Sequence, residues 1–163
     1  MPRTSYAIAL GSNRRSRFGS PAETLRAAAD AIGAECLSRI RATAALGPAG
    51  RSFANAAAVL VSDLDPPALL AALQGIERDF GRRAGKPWGP RVLDLDIILW
   101  SEGAYAAGGL VVPHPAFRAR RFVLDPLAEI ASSWRDPLTG ASVRQLLARL
   151  AAPRPVDRRS ARS

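Results

Sequence analysis

Residues 92–100 read VLDLDIILW, a nine-residue run that is apolar except at Asp94 and Asp96. A short apolar run of this length, next to a segment rich in glycine and proline, predicts a buried β-strand. Successive side chains of a strand point to opposite faces of the sheet, so Asp94 and Asp96 share one face, with Cα atoms about 6.6 Å apart. Leu95 and its aliphatic neighbours then lie on the other face and anchor the strand in the core.

Two carboxylates side by side on one strand have two possible explanations. At that separation they can hold one divalent cation, or two neighbouring cations. Without a cation they repel each other and weaken the sheet, unless each pairs with an arginine as a structural ion pair. Asp94 and Asp96 by themselves leave both explanations open.

The segment just before this strand is strongly basic and suits no regular element. Residues 81–90 contain three glycines and two prolines together with Arg82, Arg83 and Lys86, and Arg91 follows directly. Such a loop can clamp phosphate groups and close over a substrate, although it can also be an ordinary solvated loop. Because Mg²⁺ commonly takes one or two carboxylates plus substrate phosphates, the loop and the acid pair together favour phosphoryl chemistry.

The rest of the chain alternates between strand and helix patterns. Strands are predicted at residues 6–10, 37–43, 53–62 and 110–112, in addition to 92–100. Helices are predicted after the caps Ser20, Asp65 and Ser142, with a short one opening at Asp125. The order predicts an α+β fold, a ferredoxin-like βαββαβ sandwich with extra C-terminal strands and helices. We expect one domain over residues 1–152 and a basic, disordered tail over 153–163.

Composition narrows the class of protein without choosing a function. The net charge of +9 over 163 residues suits a polyanionic partner, either nucleotides or nucleic acid. No apolar stretch is long enough to cross a membrane. Cys36 is the only cysteine, so it cannot form an internal disulfide, and we expect it to be a small buried hydrophobe in a protein of the cytoplasm.

Two further positions carry side chains suited to binding. Phe53 and Asn55 share one face of a predicted strand, so a ring that stacks on a flat heterocycle lies near an amide that reads its edge. A core phenylalanine and a turn-like asparagine are the alternative. His114, the only histidine, lies between Pro113 and Pro115. With no second histidine and no clustered cysteines, a zinc site is not expected there.

The run WGPRVLDLDI at residues 88–97 resembles the signature of the 6-hydroxymethyl-7,8-dihydropterin pyrophosphokinases. These folate-pathway enzymes transfer pyrophosphate from ATP to the hydroxymethyl group of the pterin and release AMP. Further segments resemble the family in the same order, at residues 8–13, 53–57, 74–82, 112–114 and 120–127. The resemblance therefore extends from about Tyr6 to Ala131.

The resemblance implies a role for individual residues. The catalytic residues would be Arg82, Arg91, Asp94 and Asp96, and the two aspartates would bind two Mg²⁺ ions. The pterin would be bound by Thr43, Leu46, Phe53, Asn55, Trp88 and Phe122. The co-substrate ATP would be bound by Gln74, Glu77, Arg82, Arg91, Ile97, Leu110, His114 and Arg120. The resemblance also implies a monomer that binds neither nucleic acid nor membrane.

Three positions depart from the family pattern. Phe53 replaces a common tyrosine, Gly109 replaces a basic residue, and Pro115 replaces an aromatic one. These changes bear on nucleotide affinity and rate rather than on the class of reaction.

A ferredoxin-like module that binds single-stranded RNA is the alternative from another class of function. The basic charge and the order of strands and helices both suit it. Against it, the predicted sheet has no row of exposed aromatic residues, and Asp94 and Asp96 would repel phosphate in the absence of metal. A catalytically inactive relative is less well supported, because every position with a chemical role is filled.

Overall fold

A computed structural model describes residues 2–43, 53–82 and 91–152. The predictions for Leu46, Arg83, Lys86, Trp88 and the tail fall outside these ranges. The strands are β1 (Thr4–Ser12), β2 (Cys36–Leu37), β3 (Arg41–Thr43), β4 (Phe53–Ser62), β5 (Asp94–Trp100), β6 (Tyr105–Ala107) and β7 (Leu110–Val112). The helices are α1 (Pro21–Ile32), α2 (Pro66–Gly81), α3 (Arg121–Ala131) and α4 (Val143–Ala151), with a 3₁₀ turn at Phe117–Ala119 before α3.

The main sheet is antiparallel and has the order β2-β4-β1-β5, with β3 pairing with β4 beside β2. The predicted α+β class is confirmed. The strand predicted at 37–43 is instead two short strands, because Ser38 interrupts the ladder. Its backbone N–H donates to the Ala57 carbonyl at 2.8 Å, while its hydroxyl accepts from the Ala57 N–H at 2.9 Å. Strand β6, which was not predicted, pairs with β7 as a separate hairpin.

Helices cover both faces of the sheet. The first core lies against α1 and α2 and contains Tyr6, Leu25 and Leu73. The second core lies on the opposite face, against α3 and α4, and contains Leu124 and Leu146. The predicted sandwich of one sheet and one helical layer is therefore extended by the C-terminal helices into three layers. Within the described ranges, no helix combines the length and the hydropathy that crossing a bilayer requires.

Three of the four predicted helix starts are confirmed by their caps. The Ser20 hydroxyl accepts from the Glu23 N–H at 3.2 Å, and the Asp65 carboxylate accepts from the Ala68 N–H at 3.0 Å. Ser142 begins α4 with a reciprocal capping box. These caps satisfy N–H groups that have no partner within the helix, which is why local sequence is enough to locate them.

The prediction that a helix opens at Asp125 is wrong, since α3 begins at Arg121 and contains Pro126 in its interior. Proline removes one backbone hydrogen bond from a helix. Here the apolar stripe that includes Leu124 and Leu127 is buried in the second core, and that burial outweighs the lost bond. The prediction for Cys36 is also wrong, because this residue is exposed on the two-residue strand β2 at the sheet edge.

An irregularity in β5 breaks the predicted alternation of residues 92–100. Ile97 pairs with Ile8, but Leu99 pairs with Ala7, so Ile98 is an extra residue and forms a β-bulge. Both Ile98 and Leu99 are consequently buried in the second core. The bulge changes which face the later residues of β5 occupy, while the two aspartates before it share the second-core face as predicted.

One carboxylate is completely buried on the second-core side of the sheet. Asp136 has 0% of its surface exposed and lies in the connection between α3 and α4. Hydrogen bonds from Arg118 first, and then from Thr139 and the Leu138 N–H, lower the pKa of Asp136 from 3.8 to about 2. The ionised form is therefore stabilised by the fold.

We expect Asp136→Asn to lower the free energy of unfolding by about 2 kcal/mol at pH 7, because the folded pKa lies below the unfolded one. This stabilisation is complete above the ordinary pKa of 3.8 and is lost as the pH falls through about 2. Urea unfolding at pH 7 and pH 3 should show the difference between the two proteins shrinking to about half at pH 3. Asp63→Asn, at an exposed site, is the control; an equal loss at both pH values would contradict the assignment.

Candidate functional site

A cavity of about 240 Å³ opens on the second-core face of the sheet, at the end where α3 begins. We refer to it as the site cavity. Its lining combines small residues, two acids, one histidine, one arginine and one exposed ring: Ala9, Leu10, Gly11, Asn55, Ala56, Asp94, Asp96, Ile98, His114, Arg120, Phe122 and Val123. Of the predicted site residues, the structure thus brings six together at one place.

Small residues on the central strand create this space. Gly11 pairs with Asn55 on one side and with Asp94 on the other. Neighbouring strands lie about 4.8 Å apart, so the Cα atoms of Asn55 and Asp94 are separated by about 10 Å across a residue that has no side chain. A Cβ atom added at Gly11 would lie 3.4 Å from the Asn55 amide oxygen. Ala9, paired with Asp96, leaves similar room in the next row.

The two aspartates differ in their surroundings. Asp94 accepts from the Arg91 Nε at 2.7 Å, and this carboxylate is the main reason that the pKa of Arg91 is raised. Asp96 is exposed and has no ion-pair partner within the described ranges. The structural ion pair considered above therefore forms at one aspartate, and the other carboxylate stays open to the site cavity.

Glu77 secures the strand that carries the aspartates. Its side chain is only 11% exposed, and its carboxylate accepts from the backbone N–H of Leu95 at 2.9 Å and from Arg91 at 3.3 Å. Leu95 is the residue between the two aspartates, and β5 is the last strand at its edge of the sheet. Glu77 thus fixes both the strand and the arginine beside it.

Six residues predicted to bind the nucleotide do not line the site cavity, among them Arg91, which is paired with Asp94. Glu77 is engaged as described, and Gln74 is exposed on α2. Ile97 and Leu110 pack against the first core, on the sheet face opposite the aspartates. Arg82 is exposed at the end of α2, where its guanidinium lies 3.9 Å from the Asp79 carboxylate.

His114 and Arg120 face the site cavity beside the aspartates, and Arg120 supplies the positive charge there. The backbone N–H of His114 donates to the Ile98 carbonyl at 3.1 Å, so the bulge in β5 holds this residue. Its Nδ1 accepts from the Ala116 N–H at 3.2 Å, so the other ring nitrogen, Nε2, is the one that can donate to a ligand. Arg120 immediately precedes α3, whose N-terminal end carries a partial positive charge.

Two of the predicted pterin-binding residues are exposed rings; Phe122 lines the site cavity and Phe53 does not. Phe53 is 47% exposed and lies two residues before Asn55 on the same sheet face, while Phe122 is 53% exposed at the start of α3. The Arg120 guanidinium lies over the Phe122 ring at 5.8 Å. Thr43 pairs with Phe53 in the register between β3 and β4. Large apolar groups left in water beside a cavity are typical of a surface that a ligand covers.

The small residues of β1 were not predicted to form part of the site. Ala7, Ala9 and Gly11 alternate along the strand and therefore share one face, which is a visible signal for a face with free space above it. Ile98 and Val123 were not predicted either; they line the site cavity because of the bulge and the early start of α3.

The donor set fits magnesium. Within the described parts of the chain, histidine, cysteine, aspartate and glutamate side chains form no cluster of three or more that could enclose a metal ion. Mg²⁺ does not need such a cluster, because it retains several waters and takes phosphate oxygens from a substrate. The protein then supplies only one or two carboxylates. Asp94 and Asp96, beside His114 and Arg120, provide this arrangement.

Comparison with known proteins agrees with the site. Residues 7–132 match the family described as 7,8-dihydro-6-hydroxymethylpterin-pyrophosphokinase (HPPK). The 2-amino-4-hydroxy-6-hydroxymethyldihydropteridine pyrophosphokinase of Pseudomonas aeruginosa is 43% identical over 150 residues, which cover 86% of this chain and 88% of the relative. The enzyme of the same name from Synechocystis is 44% identical over 103 residues, covering 63% of this chain and 53% of that relative.

Longer proteins and solved structures match as well. A mitochondrial folate synthesis bifunctional protein of Arabidopsis thaliana is 38% identical over 79% of this chain, which covers 24% of that relative. The crystal structure of a Plasmodium falciparum HPPK-DHPS with pterin and p-hydrobenzoate superposes with a TM-score of 0.69 at 12% identity, covering 91% of this chain and 42% of that one. The chain thus spans about half or less of several proteins that it matches, and the structural likeness establishes the fold.

We expect Glu77→Ala to lower the free energy of unfolding by about 2 kcal/mol, because the part-buried backbone N–H of Leu95 loses a charged acceptor. Glu77→Gln retains an acceptor oxygen and should cost less than about 1 kcal/mol. Urea unfolding measures both changes. Asp79→Ala, which removes only exposed ion pairs, is the matched control; an alanine variant at position 77 as stable as that control would contradict the role of Glu77.

Proposed function

Because this chain belongs to the 7,8-dihydro-6-hydroxymethylpterin-pyrophosphokinase family, we propose that it transfers pyrophosphate from ATP to the hydroxymethyl group of 6-hydroxymethyl-7,8-dihydropterin. The reaction releases AMP and belongs to folate biosynthesis. One observation carries the proposal: the site cavity joins an acid pair at Asp94 and Asp96 to His114 and Arg120, and also to the amide of Asn55 and the exposed ring of Phe122.

The amide end suits the pterin. Asn55 can donate to and accept from the edge of the heterocycle, and Phe53 and Phe122 can stack on its faces. Both rings are about half exposed, so a flat ligand would remove a large apolar area from water. Contacts from Thr43, Leu46 and Trp88 are proposed on the family resemblance.

The cationic end suits the triphosphate. Arg120 and His114 line the site cavity beside the positive end of α3, and Arg91 lies next to Asp94. Arg82 is held only by a 3.9 Å contact with Asp79, so little is lost when it turns towards a phosphate group. Gln74, Glu77, Ile97 and Leu110 remain predictions for nucleotide binding, and Glu77 would act through Arg91.

Asp94 and Asp96 would hold two Mg²⁺ ions together with phosphate oxygens. When bound, the ions would screen the negative charge of the triphosphate and lower the proton affinity of the attacking hydroxyl. Asp94 would then release Arg91, whose guanidinium is protonated in any case at neutral pH. That guanidinium would be available to neutralise charge on the transferred group.

The chemical step is an in-line displacement at the β-phosphorus of ATP. A bond forms between the hydroxymethyl oxygen and the β-phosphorus, and the bond from that phosphorus to the oxygen bridging the α-phosphate breaks, so AMP leaves. The hydroxyl proton needs an acceptor. Asp96 is the candidate, because it faces the site cavity and has no ion-pair partner among the described residues.

The alternative of an RNA-binding module gains no support from the fold. Ferredoxin-like RNA-binding domains use an open sheet face with aromatic residues that stack on bases. Here α1 and α2 cover one face, and α3 and α4 cover the other. A monomer in the cytoplasm without a nucleic-acid partner stays a prediction.

The proposed reaction is tested with purified protein, ATP, Mg²⁺ and 6-hydroxymethyl-7,8-dihydropterin. We expect AMP to be released in a one-to-one ratio with the pyrophosphorylated pterin, measured by chromatography. Release of ADP would indicate transfer of a single phosphoryl group, and no nucleotide product at all would reject the proposed function.

We expect Asp96→Ala to lower turnover by a factor on the order of 100 or more, because it removes both a metal ligand and the candidate proton acceptor. Pterin affinity, measured by isothermal titration, should change less than about threefold, since Asn55 and the two rings are intact. Asp63→Ala, at an exposed site outside the cavity, is the control. Near-wild-type turnover in the Asp96 variant would reject the two-metal assignment.

A further inference from the structure

The two groups of the site cavity that are proposed to contact phosphate, His114 and Arg120, come from one short segment. This phosphate-side segment, residues 112–122, contains only the end of β7, the 3₁₀ turn at Phe117–Ala119 and the first residues of α3. Short turns are less rigid than strands or long helices unless other contacts hold them. A group that contacts phosphate must nevertheless be placed within about half an ångström of its working position.

Contacts at both ends and in the middle hold the segment. The backbone N–H of His114 donates to the Ile98 carbonyl at one end. At the other end, the N–H groups of Val123 and Leu124 each donate to the Arg120 carbonyl at 3.0 Å. In the middle, Phe117 is completely buried in the second core.

Arg118, midway between His114 and Arg120, makes the strongest polar contact of the segment. Its Nη2 donates to one carboxylate oxygen of Asp136 at 2.8 Å, and its Nε donates to the other. This two-pronged geometry fixes both the distance and the direction of the arginine. The guanidinium also lies over the Phe117 ring at 4.9 Å. Neither Arg118 nor Asp136 lines the site cavity.

Asp136 is itself immobilised by its own turn between α3 and α4. Its carboxylate accepts from the Leu138 N–H at 3.0 Å and from the Thr139 hydroxyl at 2.8 Å. Its backbone N–H donates to the Ala141 carbonyl, and its carbonyl accepts from the Gly140 N–H, both at 2.8 Å. Arg118 is therefore bound to a fixed point in the C-terminal layer.

We propose that Arg118 and Asp136 are positioning residues for the nucleotide, because their ion pair fixes the 3₁₀ turn that sets where His114 and Arg120 meet the phosphates. The inference rests on the proposed function. The connection between α3 and α4 contributes no residue to the cavity lining. In this proposal it nevertheless takes part in ATP binding. A purely structural ion pair would raise the stability of the fold and leave the affinity for ATP unchanged.

The test compares ligand affinities of folded variants at a temperature well below their unfolding midpoints. In Asp136→Asn and in Arg118→Met, we expect the Kd of a non-hydrolysable ATP analogue with Mg²⁺ to rise about tenfold, because small misplacements of binding groups are costly. The Kd of the hydroxymethyl pterin should rise clearly less than that of the analogue, since Asn55 and Phe53 lie on β4 and only Phe122 belongs to the segment. Isothermal titration measures both affinities, and Arg118→Lys should recover part of the loss.

Arg135→Met is the matched control, because Arg135 donates to the Gly140 carbonyl at 2.8 Å in the same turn but does not contact the 3₁₀ turn. We expect it to lower the unfolding midpoint and to leave the Kd of the ATP analogue unchanged. If the Arg118 and Asp136 variants bind the analogue as the wild type does, the positioning role is overturned and the proposed function stands. If the wild type binds neither ligand, both are overturned.

Discussion

The organisation of this protein depends on holding two like charges side by side on one strand. Asp94 and Asp96 project from β5 with nothing between them except Leu95, and in the absence of a cation they repel each other. Three features oppose that repulsion. Leu95 and Ile97 are buried on the opposite face, β1 pairs with β5 along its length, and Glu77 binds the backbone between the aspartates from the open edge. A strand held this firmly can keep a destabilising pair in place for chemical use.

The rest of the site depends on the small side chains of the central strand β1, which lies beside β5. The central strand contributes Ala9 and Gly11, so nothing fills the space between the aspartates and Asn55. The C-terminal helices cover the sheet face only as far as Val123, and the cavity is the space above the part of the face that they leave uncovered. Layer packing thus produces a concave surface whose two ends differ in chemistry, one cationic and one apolar with a single amide.

Local sequence was sufficient where local forces decide the structure. The caps at Ser20, Asp65 and Ser142 and the alternation along β4 and the first half of β5 involve residues close in the chain, and these predictions are confirmed. Where partners distant in sequence decide, the predictions were wrong or absent. Burial against the second core moved the start of α3 past the apparent signal at Asp125, and Ser38 broke a predicted strand by bonding to Ala57. The family resemblance identified Asn55, Asp94, Asp96, His114, Arg120 and Phe122, which do meet, but it could not foresee that Arg118 pairs with a buried Asp136 eighteen residues further on.

The half-exposed rings of Phe53 and Phe122 have a consequence for how binding and folding are linked. Both rings belong to elements that pack in the second core, β4 and α3, but neither ring is part of that core. A flat heterocycle held between them would complete the hydrophobic packing that the polypeptide leaves unfinished. Since a ligand that binds only the native state raises the free energy of unfolding, occupancy of this gap would make the C-terminal layer harder to detach from the sheet.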